Sequence, residues 1–244
     1  MNGIVSSRRG LVGPTLAMLA AFAVLVALGV WQLERKVWKE NLIATMDARL
    51  AAPPVDLPPP EQWGALNPDN AEFRRVKFRA EFIPVDDVYV YVAGSALRTD
   101  IQDPGYFVFR PAKLPDGHVV VVNRGYIPID AVKQSPAETL DIAGYIRFPE
   151  PKPWFISATA APGQAWFVRD QRAMAAARGW GEVAPFYVDQ ETPVPPGGLP
   201  RPSALVVTLR DDHLGYALTW FGLAAVLAGV YIAWLVSRRR DKVS

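Results

Sequence analysis

Two long segments without permanent charge, one near each end of the chain, constrain its fold more than any other feature of the sequence. They cover residues 10–33 and 213–237, which is about 24 and about 25 residues. As helices rising about 1.5 Å per residue, both are long enough to cross a hydrocarbon core of about 30 Å. The sequence therefore predicts two transmembrane helices with ordinary polar sequence between them.

The first segment has a second interpretation, a cleaved signal peptide, because Arg8 and Arg9 precede it. However, its apolar part exceeds the roughly 7–15 residues of a signal peptide. The helical pattern also continues past it to Lys39, and the next helix-breaking residue is Pro53. We therefore expect a retained membrane helix.

Basic residues lie outside both segments, toward the chain ends: Arg8 and Arg9 before the first, an arginine cluster at 238–240 after the second. By the positive-inside rule both termini are cytoplasmic and the middle of the chain lies outside. No transit peptide is visible, which favours the bacterial inner membrane and the periplasm over a mitochondrion. The predicted organisation is a cytoplasmic N-terminus (1–10), a transmembrane helix (11–33), a membrane-proximal helix (34–52), a periplasmic β-rich domain (53–212), a second transmembrane helix (213–236) and a cytoplasmic C-terminus (237–244).

The segment between the spans predicts mainly β structure, because alternating and β-branched runs recur in it at short intervals. Strands are expected at 73–82, 87–92, 106–110, 119–122, 139–148, 164–168, 184–189 and 203–209. One short helix is expected over 170–178, with Asp170 as its N-cap and Gly179 after its end. The predicted fold class is a membrane protein in which two transmembrane helices bracket a compact α+β domain, a β-barrel or sandwich.

Composition excludes several functions. The chain has no cysteine, which removes disulfide scaffolds, thiolate nucleophiles and cysteine-ligated metal sites. The net charge of +2 argues against a nucleic-acid partner. Motifs of nucleotide-binding loops, nucleophile elbows and zinc proteases are absent from the sequence. We therefore predict that the protein is not an enzyme, with a membrane-tethered enzyme as a minor alternative.

Two histidines are the candidate metal ligands. His118 follows a Pro-Asp-Gly turn, which predicts a solvated residue. His213 opens the second span, where an interfacial polar residue and an axial haem ligand are both possible. Tyr216 and Trp220 share its helix face and offer flat surface to a macrocycle, or belong to an aromatic belt. A metal site made of 211–213 is a minor alternative.

A related group ends the first span, where Trp31, Arg35 and Trp38 stand at helical spacing. Arg35 could pair with a propionate carboxylate, or it could reach lipid headgroups. Antiparallel packing of the two spans would bring this group close to the residues around His213.

Three stretches together resemble one known family. They are L-G-V-W-Q-L-E-R-K-V-W-K at 28–39, V-N-R-G-Y-I-P at 122–128 and H-L-G-Y-A-L-T-W-F at 213–221. In this order, with two spans around a β segment, they resemble the Surfeit locus protein one family of cytochrome c oxidase assembly factors, and the bacterial type in particular. One position departs from the family pattern: Asp211 stands where relatives commonly have asparagine.

The resemblance implies that haem a is bound transiently, with His213 as the axial ligand of its iron and Tyr216, Trp220, Trp31 and Arg35 around it. It implies delivery of haem a to the largest subunit of the oxidase. The implied partners are that subunit, haem a synthase and the lipid bilayer. The alternative is a haem-free membrane scaffold that stabilises an oxidase assembly intermediate through its β domain.

Overall fold

The computed structural model describes residues 5–95, 97–131, 138–151, 154, 164–206 and 211–240. These residues form two compact units, one within 1–44 and 209–244 and the other within 45–208. Four helices are described: α1 (Val5–Ala51), α2 (Pro68–Ala71), α3 (Gln171–Arg178) and α4 (His213–Arg240). A 3-10 helix covers Pro60–Ala65. The strands are β1 (Val55–Asp56), β2 (Arg75–Phe82), β3 (Val88–Val92), β4 (Gly105–Lys113), β5 (Val119–Pro128), β6 (Thr139–Arg147) and β7 (Tyr187–Thr192).

The first unit contains α4 and α1 up to residue 44, which are the two long apolar helices of the chain. Helix α1 has 47 residues and α4 has 28, lengths of about 70 Å and about 42 Å. Mean hydropathy reaches 2.4 in α1 and 1.9 in α4. Both are long and apolar enough to cross a membrane, and α1 continues without interruption beyond residue 33 until two prolines follow its end at 53 and 54.

Small residues let α1 and α4 approach closely. Gly29, Ala217 and Ala224 are buried, and a Cβ atom added to Gly29 would lie 2.5 Å from the ring of Phe221. Small residues at such positions are typical of helices that pack within a membrane. A hydrogen bond between the Thr15 and Tyr231 hydroxyls joins the same two helices farther along. The pair is therefore antiparallel.

The second unit is built on one sheet of seven strands in the order β1-β2-β6-β7-β5-β4-β3. Strand β2 pairs with β6 from Arg75 to Glu81 and with β4 at Glu81 and Phe82. This extra pairing closes β2, β6, β7, β5 and β4 into a small barrel, which leaves fewer free strand edges. The β5–β7 and β1–β2 pairs are parallel and the others are antiparallel. A mostly-β domain with a small barrel is thus confirmed.

One predicted strand is wrong, a second is not formed in residues 203–206, and a third is misplaced; residues 207–209 of the second lie outside the described residues. Trp166, in the predicted strand 164–168, makes only an isolated bridge with Val90. The apolar residue type that suggested a strand reflects burial against β3 and not membership of the sheet. The described part of 203–209 contains no strand, and the bridge in this region lies at Arg201, between Pro200 and Pro202, which lack the N–H groups a ladder needs. The strand predicted at 184–189 lies at Tyr187–Thr192 instead.

The predicted short helix is confirmed as α3. The Asp170 carboxylate accepts a hydrogen bond from the Ala173 amide at 3.0 Å, and Gly179 follows the helix in the left-handed conformation with a φ of 67°. Met174 and Ala175 are buried against β3, β4 and β5, so the apolar face of this short helix covers one part of the core. Both caps match the residue types that favour a helix start and a helix end.

The motif at 122–128 is structural in this fold. Asn123 donates a hydrogen bond to Asp189 at 2.7 Å and so ties β5 to β7. The Arg124 guanidinium lies 4.3 Å from the centre of the Phe82 ring and donates to Glu138 at 3.0 Å. Gly125 has a φ of 123°, and a Cβ atom there would lie 2.3 Å from the Arg201 backbone. These positions therefore hold the barrel together.

Candidate functional site

The candidate site lies where α4 begins. Asp211 precedes the helix, and its carboxylate accepts a hydrogen bond from the His213 backbone N–H at 3.0 Å. The first backbone hydrogen bond of the helix follows, from the Tyr216 N–H to the Asp212 carbonyl at 3.2 Å. Aspartate is a preferred residue before a helix, because it accepts from free amides and complements the helix dipole. The departure at Asp211 therefore preserves the capping that asparagine would provide, and it adds a charge.

The side chain of His213 contacts the other long helix. Its Nδ1 atom lies 2.7 Å from Oε1 of Gln32 on α1. Both side chains are half-buried. The predicted proximity of the two span ends is thus present, but the residue that makes the contact is Gln32, which was not among the predicted site residues. In the sequence, Gln32 was marked only by its position in the first of the three stretches that resemble the family.

This contact bears on the roles of the two imidazole nitrogens. An amide oxygen only accepts hydrogen bonds, so with Oε1 of Gln32 facing Nδ1 the contact favours the tautomer of His213 that is protonated on Nδ1. In the neutral ring, Nε2 then keeps its lone pair. A nitrogen with a free lone pair, on a ring that is held from its other side, is how proteins present a histidine to a metal. The His213 ring is therefore held from its Nδ1 side by a partner on the neighbouring helix.

The aromatic residues around His213 are open to the surroundings to different degrees. Tyr216 is 58% exposed and Trp31 is 50% exposed, while Trp220 is half-buried. Ala217 is buried, which places this side of α4 against α1. The predicted common face of α4 is therefore divided: one part packs on the partner helix and one part offers uncovered aromatic surface.

Arg35 is exposed, and its guanidinium lies 4.1 Å from the centre of the Trp38 ring. This is a cation–π contact one helical turn apart, and it leaves the edge of the guanidinium accessible to a carboxylate. Trp38 is 52% exposed. The predicted Arg35–Trp38 neighbourhood is thus formed within α1 alone.

The other histidine is placed differently. His118 is exposed, its Nδ1 lies 3.2 Å from the Asp116 carboxylate, and its ring meets the edge of Trp63 at 5.5 Å between centres. Within the described residues, no three His, Asp or Glu side chains come together as a metal site. The metal site suggested at 211–213 is therefore not formed by the described part of the chain.

Comparison with known proteins identifies the family. The SURF1 family model matches residues 19–225, which include Gln32, His213 and the whole barrel. The chain belongs to the SURF1 family. Surfeit locus protein 1 of Mus musculus is 30% identical over 227 residues, which is 86% of this chain and 72% of the mouse protein. The Homo sapiens protein of the same name is 32% identical over 216 residues, 81% of this chain and 69% of the human one. A bacterial SURF1-like protein, from Rickettsia bellii, is 28% identical over 226 residues and 88% of each chain.

Proposed function

We propose that this SURF1-family protein is a membrane-anchored assembly factor of cytochrome c oxidase that binds haem a through His213 and passes it to the largest subunit of the oxidase. The coarse part of this role follows from membership of a family of oxidase assembly factors. The role is non-enzymatic: the protein binds, holds and releases haem a, and does not convert it.

Membrane anchoring is supported by the two long helices. Apolar side chains such as Leu19, Val24, Val226 and Val230 are exposed on them, which suits lipid and is costly in water. The last turn of α4 is basic, with Arg238 over the ring of Trp234 at 4.8 Å. A cluster of arginines after an apolar helix favours a cytoplasmic end. We propose that both helices span the bacterial inner membrane and that the barrel faces the periplasm.

The observation that carries haem binding is the 2.7 Å contact between His213 Nδ1 and Gln32. It leaves Nε2 as the iron-ligating atom, which fits a haem whose iron takes one imidazole. Trp31, Tyr216 and Trp220 would contact the faces and edges of the ring, and Arg35 would pair with a propionate. Bound haem a would supply a redox-active iron, which the chain itself lacks. With His213 as its single protein ligand, the haem would be held by one bond that can be exchanged, as a carrier requires.

The chain provides a matched test because it has only two histidines. His213→Ala and His118→Ala each remove one imidazole. Each variant is purified as the full chain from cells that make haem a. We expect His118→Ala to retain the haem content of the wild type and His213→Ala to lose most of it. Equal haem content in the two variants would refute the ligand assignment.

The same purifications distinguish the second candidate, a haem-free scaffold. Co-purification of the largest oxidase subunit is measured beside the haem content. If neither the wild type nor the variants contain haem but all retain the subunit, the protein is a scaffold and not a haem carrier. If His213→Ala loses haem and still retains the subunit, haem binding and docking are separate functions of the chain.

A further inference from the structure

We propose that Gln32 is a positioning residue, which fixes His213 in the Nδ1–H form so that Nε2 faces outward as the haem ligand. This inference rests on the proposed haem binding, and it assigns the ligand site to two helices instead of one. Nothing in the motif around His213 alone predicts it, because Gln32 lies 181 residues earlier in the chain.

The first step of the argument is the cost of a polar amide in this place. Gln32 lies at the end of an apolar segment, half-buried beside α4. A buried amide without a partner costs free energy, so its hydrogen bond to His213 is the interaction that makes glutamine acceptable there. The contact is 2.7 Å long, at the short end of the range for nitrogen and oxygen atoms.

The second step concerns the imidazole. Its two neutral tautomers exchange the roles of donor and acceptor between the ring nitrogens, and a hydrogen bond on one nitrogen decides which is populated. With Gln32 accepting at Nδ1, the lone pair is held on Nε2. Loss of the residue that hydrogen-bonds the second nitrogen of a metal-binding histidine typically lowers metal affinity by about 10- to 100-fold.

The third step is that the backbone around both residues is fixed. The Asp211 carboxylate holds the first turn of α4 at the His213 amide. On α1, Gly29 lies about one turn before Gln32, and the Phe221 ring of α4 packs closely against it because glycine has no side chain. The distance between the two helices is therefore set by packing, and the Gln32 side chain spans that distance to the histidine.

The experiment uses the full chain without haem in lipid nanodiscs, with ¹⁵N-labelled histidine. Long-range ¹H–¹⁵N spectra report which ring nitrogen is protonated, and the His118→Ala variant assigns the two signals. Gln32→Met keeps the size of the side chain and removes the acceptor. Gln32→Glu keeps an acceptor oxygen at the same length. Thr15→Val is the matched control, since it removes a different hydrogen bond between the same two helices.

We expect the Nδ1–H form in the wild type, Gln32→Glu and Thr15→Val, and its loss in Gln32→Met. Titration with haem a should show at least about 10-fold weaker binding for Gln32→Met alone. An Nε2–H histidine in the wild type, or an unchanged tautomer in Gln32→Met, would overturn the proposal. So would a changed tautomer with unchanged haem affinity. If the tautomers behave as expected but even the wild type binds no haem, the haem-carrier function fails and the Gln32 contact stands.

Discussion

Gly125 gives the sharpest prediction for the stability of the barrel, because two separate costs can be assigned to replacing it with alanine. Its φ of 123° lies in a region that alanine rarely adopts, at a cost of about 1–2 kcal/mol. The added Cβ would also lie 2.3 Å from the Arg201 carbonyl carbon and oxygen. Those are backbone atoms in the bridge to Tyr126, where hydrogen bonds of 3.0 and 2.8 Å would have to lengthen.

The second cost is of the kind that overpacking causes, about 1–3 kcal/mol. Gly125→Ala should therefore lower the free energy of unfolding by about 2–5 kcal/mol, out of the roughly 5–15 kcal/mol of a typical domain. At about 2–4 °C per kcal/mol, a loss of about 3 kcal/mol lowers Tm by about 6–12 °C.

Gly117→Ala is the matched control. Gly117 has a φ of 93° in the turn between β4 and β5, and a Cβ atom there would meet nothing within 4 Å. It should show the conformational cost alone. Thermal unfolding of the full chain in detergent, followed by near-ultraviolet circular dichroism of the buried tryptophans of the barrel unit, gives both values. An equal loss of Tm in the two variants would refute the role assigned to the contact with Arg201.

Two further predictions concern buried polar side chains. Asp87→Ala should lower the free energy of unfolding by about 3–5 kcal/mol, because it leaves the buried Arg110 without a carboxylate 2.6 Å away. Asp141→Ala is the control, because it breaks an exposed ion pair with Arg79 and should lower the free energy of unfolding by less than about 1 kcal/mol. Equal losses for Asp87→Ala and Asp141→Ala in denaturant unfolding would contradict the role assigned to the buried pair. Burial raises the pKa of Tyr145 to about 12, so above pH 10 the unfolded chain releases a proton that the folded chain keeps. The Tyr145 hydroxyl alone should therefore lower the free energy of unfolding by about 2 kcal/mol between pH 10 and 12. The free energy of unfolding of Tyr145→Phe should fall by that much less over the same range, and parallel curves for the two proteins would contradict the assignment.

The elements that the sequence predicted well are those whose residues carry local information. The long helices follow from uncharged runs, and α3 follows from Asp170 and Gly179 at its two ends. Strands such as β2 and β3 show alternation or β-branched and aromatic content that a local window detects. For the same reason, His213 could be found as the polar residue that begins an apolar helix.

The parts that could not be predicted depend on contacts between distant segments. The barrel closes through two residue pairs between β2 and β4, and Trp166 is buried without belonging to a strand. Gln32 is a polar residue in an apolar helix, and its meaning depends on which residue of α4 lies opposite. A local pattern contains no information about that register, so the sequence could single out His213 but not Gln32, the residue that contacts it.

The central claim is that His213 supplies the ligand of the haem iron, and pulsed electron paramagnetic resonance tests it most directly. The protein is labelled with ¹⁵N at histidine only, loaded with ferric haem a, and measured as wild type, His118→Ala and His213→Ala. We predict a ¹⁵N hyperfine coupling to the iron in the first two and its absence in the third. A coupling that persists in His213→Ala, or that is missing from the haem-loaded wild type, would contradict the account.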